Sequence, residues 1–402
     1  MKVRFFNTFD TAAPFFRTLL PHLASRGHEV EAVLARQQYR PGGLQAVNAD
    51  YRIRQVPTVE MSLGGRGGKL SIAASYSLAA AAVSLPSRWP DVDVFLTQPP
   101  LFTAWGRVLR ALHRRPYCIV GMDLYPWVAI EAGVVPRRSV RARVAESLAV
   151  ASLEGASRFI AIGRCMVDRV TGFGISPGRI RMIPNWADTD VIRPVARESN
   201  PLRAEHGLEG KFVVMYSGNL GVSHYFDDLL EVACRLRRLP DWVLLFVGSG
   251  SRLQEVQDRS RELGLENVRF LGYQDYELLS ESLGMGDVHF VSLRPGFEGL
   301  VVPSKTYGVL AAGRPVVYQG SATGEIARML EETETGTVVG IGDVEELEKA
   351  ILQAYEDPAG RESVGQRARR VAEERYSPGP GVQAYAEVLE DLVGTRVEAR
   401  AT

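Results

Sequence analysis

Short apolar runs alternate with helical patterns along this chain, and the whole series occurs twice. In the first half, residues 3–6, 29–34, 93–97, 117–121, 158–162 and 180–183 read as strands, with helices over 15–26 and 102–113. In the second half the strands fall at 212–216, 242–247, 268–271, 288–292 and 315–318, with helices over 226–239, 252–263 and 276–283. Phe226, Leu229, Leu230, Ala233 and Leu236 share one face of the first of those helices. A strand that is apolar throughout must be covered on both faces, which parallel sheets flanked by crossover helices achieve. At 402 residues the chain suits two such α/β domains rather than one core. Residues 184–201 lose periodicity and gather Pro, Asp and Asn, the composition of a linker. The expected organisation is a doubly wound domain over 1–184, a linker over 185–201, a second doubly wound domain over 202–375, and a tail over 376–402. That tail is expected to be helical over 383–393, after a Ser-Pro-Gly-Pro-Gly break. Folds of this kind bind ligands outside the carboxyl ends of their strands.

The charge is zero overall but unevenly spread. Residues 1–185 hold 24 Lys+Arg and 12 Asp+Glu, a balance of +12; the remaining 23 basic and 35 acidic residues give residues 186–402 a balance of −12. Two readings stand: a basic half that rests on an anionic membrane or receives a phosphate-bearing acceptor, or two domains that attract each other. No nucleic-acid partner is expected. Cys118, Cys165 and Cys234 are too few and too scattered for a disulfide frame or a metal site, which points to a reducing cytoplasm. The start lacks the apolar run of a signal peptide. The Ala/Ser-rich stretch over 70–86 is short of a membrane span and reads as a buried or surface-lying helix.

The most informative segment follows the strand at 288–292. A loop carrying Arg294, Glu298 and Gly299 runs into Pro303-Ser304-Lys305 and a small-residue helix that ends at Gly313. Proline suits a first helical turn, where its missing N–H has no partner. The free amides at Ser304, with Lys305 beside them, form an anion site suited to diphosphate. Glu298 is placed to accept hydrogen bonds from a polyol next to that anion, and the combination suggests a nucleotide sugar. Tyr216-Ser217-Gly218-Asn219-Leu220-Gly221 ends another strand, where Gly218 and Gly221 let backbone approach a phosphate; an ordinary tight turn is the bland reading. Gly248 and Ser249 end the next strand and Tyr273 follows the one after, and each alone is equally well a plain turn.

Those segments, with Pro184-Asn185-Trp186-Ala187-Asp188, resemble the retaining glycosyltransferases of family 4, in the bacterial exopolysaccharide, O-antigen and colanic-acid branch. The likeness is strongest from about Asp91 to Pro315. It implies the GT-B fold, two Rossmann-like domains facing each other across a cleft, with a C-terminal helix returning to the first. It also implies a nucleotide diphosphate-sugar donor, a lipid-linked or saccharide acceptor, no metal or other cofactor, and work in the cytoplasm or at the inner face of the cell membrane. Glu298 would hold the donor sugar, Lys305 and the Ser304 amides the diphosphate, with Arg294 assisting. Backbone near Gly248, Ser249 and Tyr273 would hold the base, and Asp123 and His224 would sit near the transfer point.

The chain departs from the family in three places. Relatives carry a basic pair in the glycine loop, where this chain has Asn219 and, near the second position, His224. Relatives carry a second glutamate on the ribose, where this chain has Gly308; close approach of the nucleotide or tight packing would favour that glycine. Paired glycines after the first strand are replaced by Asp10-Thr11-Ala12-Ala13-Pro14. In the first half Gly121-Met122-Asp123-Leu124-Tyr125-Pro126 follows a strand; Asp123 would stabilise an oxocarbenium-like state or orient the acceptor hydroxyl, or else cap the next helix. Thr97-Gln98-Pro99-Pro100 reads as a structural turn or an acceptor-pocket wall. The competing functions are a nucleotide-sugar epimerase and a non-catalytic nucleotide-sugar-binding subunit. A dehydrogenase is disfavoured because no Gly-x-Gly-x-x-Gly with a downstream acid follows a strand.

Overall fold

The computed structural model describes residues 1–8, 13–36, 50–59 and 66–401. Asp10, Thr11 and Ala12 of the loop after the first strand lie outside them. The chain divides into two compact units, the first made of Met1–Pro184, Gly299–Val301 and the segment from Pro378, the second of Asn185–Glu298 and Val302–Ser377.

The described strands of the first unit are β1 (Lys2–Phe6), β2 (Glu29–Ala35), β3 (Arg52–Val56), β4 (Val92–Leu96), β5 (Tyr117–Gly121), β6 (Arg158–Ala161) and β7 (Ile180–Met182). They form one parallel sheet in the order β3-β2-β1-β4-β5-β6-β7. Every residue of β4 and β5 is buried, as strands covered on both faces must be. Arg4 and Asp93 face each other in register on β1 and β4. Arg4 Nε and Arg115 Nε both donate to that carboxylate, at 2.9 and 2.5 Å. Three charges at most 2% exposed persist only when paired in this way, and they tie the centre of the sheet together.

The C-terminal helix Pro378–Ala401 packs on the helix Ala13–Ser25 within this unit. Phe15 and Tyr385 meet edge to face at 5.1 Å, and Glu390 accepts from Arg26 and His28. Of the Ser-Pro-Gly-Pro-Gly stretch only Ser377 lies in the expected break, and the helix begins at Pro378. Pro378 and Pro380 occupy the first turn, where a helix has no use for their missing N–H groups.

The second unit repeats the plan with β8 (Phe212–Ser217), β9 (Trp242–Val247), β10 (Val268–Leu271), β11 (Val288–Ser292), β12 (Val316–Gln319) and β13 (Gly336–Val339). Its parallel sheet runs β10-β9-β8-β11-β12-β13. Counted within the unit this is 3-2-1-4-5-6, the doubly wound order whose direction reverses between the first and fourth strands. Residues 185–201 belong to this unit rather than forming a free linker. The buried Ile192, the Arg369 guanidinium on the Thr189 and Ile192 carbonyls (2.9 and 2.7 Å), and the Asn200 side chain capping Leu202 at 3.0 Å hold them down.

Candidate active site

The order of the second sheet reverses between β8 and β11, so the loops leaving Ser217 and Ser292 diverge and open a crevice between them. The site residues of this unit gather around those two strand ends.

Lys305 opens a short helix, Lys305–Ala311. Its Nζ is buried and has no hydrogen-bond partner among the described residues. The ammonium lies 3.5 Å from the centroid of the Tyr216 ring. A Cβ on Gly218 would stand 3.6 Å from it, so the glycine loop and the lysine are neighbours. Burial drives the lysine well below its ordinary range, and no carboxylate among the described residues offsets the lost hydration. A buried amine faced by a ring has the chemistry of an anion-binding group.

The helix start is less open than the sequence suggests. Thr306 bonds back to the Pro303 carbonyl through its amide (3.3 Å) and hydroxyl (3.0 Å), and the Tyr307 amide bonds to Ser304 O (3.2 Å). The Ser304 and Lys305 amides keep no partner among the described residues, and Ser304 itself is exposed.

His224 is buried beside this lysine. Its Nδ1 lies 2.6 Å from the Ser292 carbonyl, which can only accept, so Nδ1 carries the hydrogen and Nε2 keeps a lone pair. Burial first, then the nearby Lys305 charge, push its pKa well below the usual histidine value. His224 is therefore a neutral acceptor rather than a cation, and it does not supply the charge that the family's basic pair would. Ser292 Oγ accepts from the Tyr225 amide (3.0 Å) and donates to the Tyr225 carbonyl (2.8 Å), which fixes the loop on which His224 rides.

Glu298 Oε2 accepts from the Gly296 amide at 2.7 Å, which sets the carboxylate's direction at the end of its loop. Arg294 is exposed; its amide binds Ser223 O at 2.8 Å and ties the two crevice loops together. Asn219 offers its carbonyl to the Tyr216 hydroxyl at 2.6 Å. Tyr273 OH reaches Ser249 O at 3.3 Å.

Gly248 has φ +133, and a Cβ there would fall 2.1 Å from Gly218 O. What its glycine answers to is loop-against-loop packing. The Leu220 amide on Ser249 O (2.9 Å) continues that packing. At Gly308 an added Cβ would meet only Leu283 Cδ1 at 3.5 Å and Ile192 Cδ1 at 3.8 Å, ordinary contacts. Tight packing is thus not the reason for this glycine.

Two of the residues singled out from the sequence belong to the first unit. Gly299 has φ +73, and a Cβ there would lie 2.3 Å from Cys165 O, so its identity is set by close backbone approach. Asp123 pairs with Val301 in a single antiparallel bridge, and Leu124 N donates to Leu300 O at 2.9 Å. The Asp123 amide donates to Thr97 Oγ1 at 3.1 Å. Burial lifts its carboxyl to about 6 although a hydrogen bond from Gln98 opposes the rise. It does not cap the helix Trp127–Glu131, whose start carries no side-chain cap. Thr97 and Gln98 hold Asp123 and are more than a turn.

Sequence reasoning missed Arg252. Its Nη1 donates to His224 O at 2.6 Å while Nε meets Glu255 at 2.9 Å. Only its place at the mouth of β9 hinted at this. Tyr216 as the seat of Lys305 was equally hidden, since aromatic strand ends are common.

Residues 198–371 match the model of the family "Glycosyl transferases group 1", and residues 11–186 match the "Glycosyl transferase 4-like domain". The chain belongs to the GT-B glycosyltransferases of family 4. It is an enzyme of that class. Among its relatives, a probable glycosyltransferase, WbjE of Pseudomonas aeruginosa, is 26% identical over 92% of this chain and 95% of its own length. The putative colanic acid biosynthesis glycosyl transferase WcaI of Escherichia coli is 29% identical over 66% of this chain and 67% of its own. The fold is shared with sucrose-phosphate synthase from Thermosynechococcus elongatus (TM-score 0.78, 17% identity, 98% of this chain and 100% of that one). Anabaena HepE, solved with UDP and glucose, follows at TM-score 0.74 and 18% identity, over 97% of this glycosyltransferase and 99% of HepE.

Proposed function

We propose that this glycosyltransferase takes a sugar from a nucleotide diphosphate-sugar, with retention of configuration, and passes it to a lipid-linked or polysaccharide acceptor at the inner face of the cell membrane. The observation that carries the reading is Lys305 Nζ, buried, unpartnered and beside Gly218 at the crevice of a doubly wound sheet. Leaving an ammonium so placed costs stability, and a diphosphate supplies the counter-charge it lacks. A relative named for colanic acid biosynthesis and a structural neighbour solved with UDP-glucose support the same reading.

In this proposal the bond from the anomeric carbon to the phosphate oxygen breaks as the acceptor oxygen bonds to that carbon. The electron pair leaves with the diphosphate, and Lys305 with the Ser304 and Lys305 amides takes up the developing charge. Glu298 and the His224 Nε2 lone pair accept hydrogen bonds from donor hydroxyls and fix the sugar. The leaving phosphate receives the acceptor's proton, so no strong protein base is required. Asp123 is assigned to the acceptor side.

Because burial favours the neutral amine of Lys305, binding of a nucleoside diphosphate should draw a proton onto it. Calorimetry with UDP and GDP in buffers of different ionisation enthalpy reads that uptake directly. Lys305→Ala and Lys305→Met should abolish the proton uptake and weaken the better nucleotide by on the order of 100-fold, about 2.7 kcal/mol. Unchanged affinity and unchanged proton uptake in these variants would refute the donor assignment.

A further inference from the structure

Two loops of the second unit are packed into one body beside the crevice. The Gly218 amide donates to Val247 O at 2.8 Å, and the Leu220 amide to Ser249 O at 2.9 Å. Arg252 returns the contact with its own amide on Leu220 O at 3.0 Å, and a Cβ on Gly250 would fall 2.4 Å from that same oxygen. Further along the glycine loop, the His224 carbonyl is reached by a side chain. Arg252 Nη1 donates to it at 2.6 Å, while Nε and Nη2 fork onto the two oxygens of Glu255 at 2.9 and 2.5 Å. The guanidinium carbon lies 5.7 Å from the centroid of the Phe226 ring.

This is not an ordinary surface pair. The helix Leu253–Glu262 carries two others of the same spacing, Arg259 with Glu262 and Arg261 with Asp258. Their arginines are 55% and 69% exposed, and pairs of that kind contribute little. The Arg252 side chain is 12% exposed and makes a third bond, to a loop 28 residues away in sequence. The bond to Glu255 also keeps Arg252 charged, raising its pKa above the ordinary arginine value. With three N–H groups spent on Glu255 and His224, the fork is not free to take a diphosphate as well. Its influence passes through His224.

The His224 ring is pinned at Nδ1 by the Ser292 carbonyl, so that bond and the Arg252 grip on the main chain together decide where Nε2 points. Three elements besides its own loop face the ring with titratable groups. Lys305 comes from the start of its helix, Arg252 from the loop after β9, and Tyr216 of β8 stands edge-on at 5.6 Å. On its own loop Tyr225 is turned to Asp228, its hydroxyl donating at 3.2 Å. Both cations favour the neutral imidazole, which alone keeps a lone pair on Nε2.

We propose that Arg252 is a positioning residue for the donor sugar: by holding the His224 carbonyl it sets the imidazole so that Nε2 meets a sugar hydroxyl. The inference rests on the donor-site reading above and adds the residue that orients it.

The test compares the full-length wild type with Arg252→Ala, Arg252→Lys and Lys305→Met. Calorimetry with UDP, GDP, UDP-glucose and GDP-mannose reads the site, and NMR of the histidine Cε1 and ring nitrogens reads His224, assigned through His224→Gln. Arg252→Ala should leave UDP and GDP affinity nearly unchanged and weaken the better nucleotide sugar on the order of 10-fold. In the same variant the His224 titration should move up toward 6.5, because a cation that opposes its protonation is gone. Arg252→Lys restores the charge but not the fork, so the titration should return toward wild type while the sugar is only partly recovered. A merely structural brace would weaken nucleotide and nucleotide sugar alike and leave the His224 titration in place, which overturns the proposal. Lys305→Met that binds UDP and GDP as wild type does refutes the donor site itself. Lys305→Met that loses them, beside an Arg252→Ala variant that matches wild type in sugar affinity and titration, refutes the Arg252 assignment alone.

Discussion

Asp123→Asn isolates the cost of keeping one carboxylate where it sits. The Asp123 carboxyl stands at about 6 against an ordinary 3.8, chiefly through burial. At about 1.36 kcal/mol for each tenfold change in proton affinity, that difference amounts to about 3 kcal/mol. The sign follows from where the proton is. Between pH 3.8 and about 6 the folded chain holds it and the unfolded chain does not, so this group's contribution falls as pH rises through that window and is flat above it. Above pH 6 the folded protein carries the full penalty of an ionised, enclosed Asp123. Asparagine matches the shape, keeps a carbonyl for the bond from Gln98, and carries no charge. The variant should therefore be more stable than wild type at neutral pH by up to about 3 kcal/mol, an upper bound because the residue is only half-buried. For a unit of this size that is a rise of several degrees in Tm. The assay is urea unfolding from pH 4 to 8, followed by the fluorescence of Trp89, Trp105 and Trp127, the tryptophans of the first unit. The gap between variant and wild type should open between pH 4 and 6 and then hold constant. Glycosyl transfer should fall in the same variant, since a group retained at such a cost is retained for function. A variant no more stable than wild type at neutral pH, with an unaltered pH profile, would show that the Asp123 environment is not the source of its shift.

Two further outcomes are expected. His289, buried with Nε2 on Leu283 O at 2.9 Å, is pushed down to about 4 mainly by burial, so its neutral form stabilises the fold above pH 6.5 and that support is lost as pH falls toward 4. His289→Gln should remove about 3 kcal/mol of acid sensitivity, read from urea midpoints between pH 4 and 7. Gly248→Ala should cost about 3 kcal/mol or more, while Gly308→Ala should hold stability or raise it by up to about 1 kcal/mol; matched denaturant curves check both, and the reverse order would contradict the packing argument.

The strands legible in the sequence are those buried on both faces. β4, β5, β9 and β11 are buried along their whole length, and each appears within a residue of its expected bounds. β3 and β13 escape that reading because they are short edge strands whose exposed residues break the apolar run. The helices Glu325–Thr333, Val344–Glu356 and Pro358–Arg375 lie where the sequence reading assigns no element. The last two are divided only by Asp357, whose side chain caps the Gly360 amide. The break expected at Ser377-Pro378-Gly379-Pro380-Gly381 is confined to Tyr376 and Ser377 for a positional reason: the same residues that end a helix can begin one.

At the site, residue type was legible and protonation was not. Pro303-Ser304-Lys305 reads in the sequence as an anion-binding turn, but only the fold shows that Lys305 Nζ lies over Tyr216 with its hydration gone. His224 reads in the sequence only as a residue near the second position of the missing basic pair; the fold adds its tautomer, fixed by the Ser292 carbonyl, and the loss of its charge through burial. The glycines show the same division. Gly248 and Gly299 answer to a carbonyl 2.1 and 2.3 Å from where their side chains would begin, so the protein's own backbone already explains them. Gly308 answers to nothing that close. Packing leaves this helical glycine unexplained, so of the two readings the sequence offers for it, close approach of a nucleotide is the one that remains to be proposed.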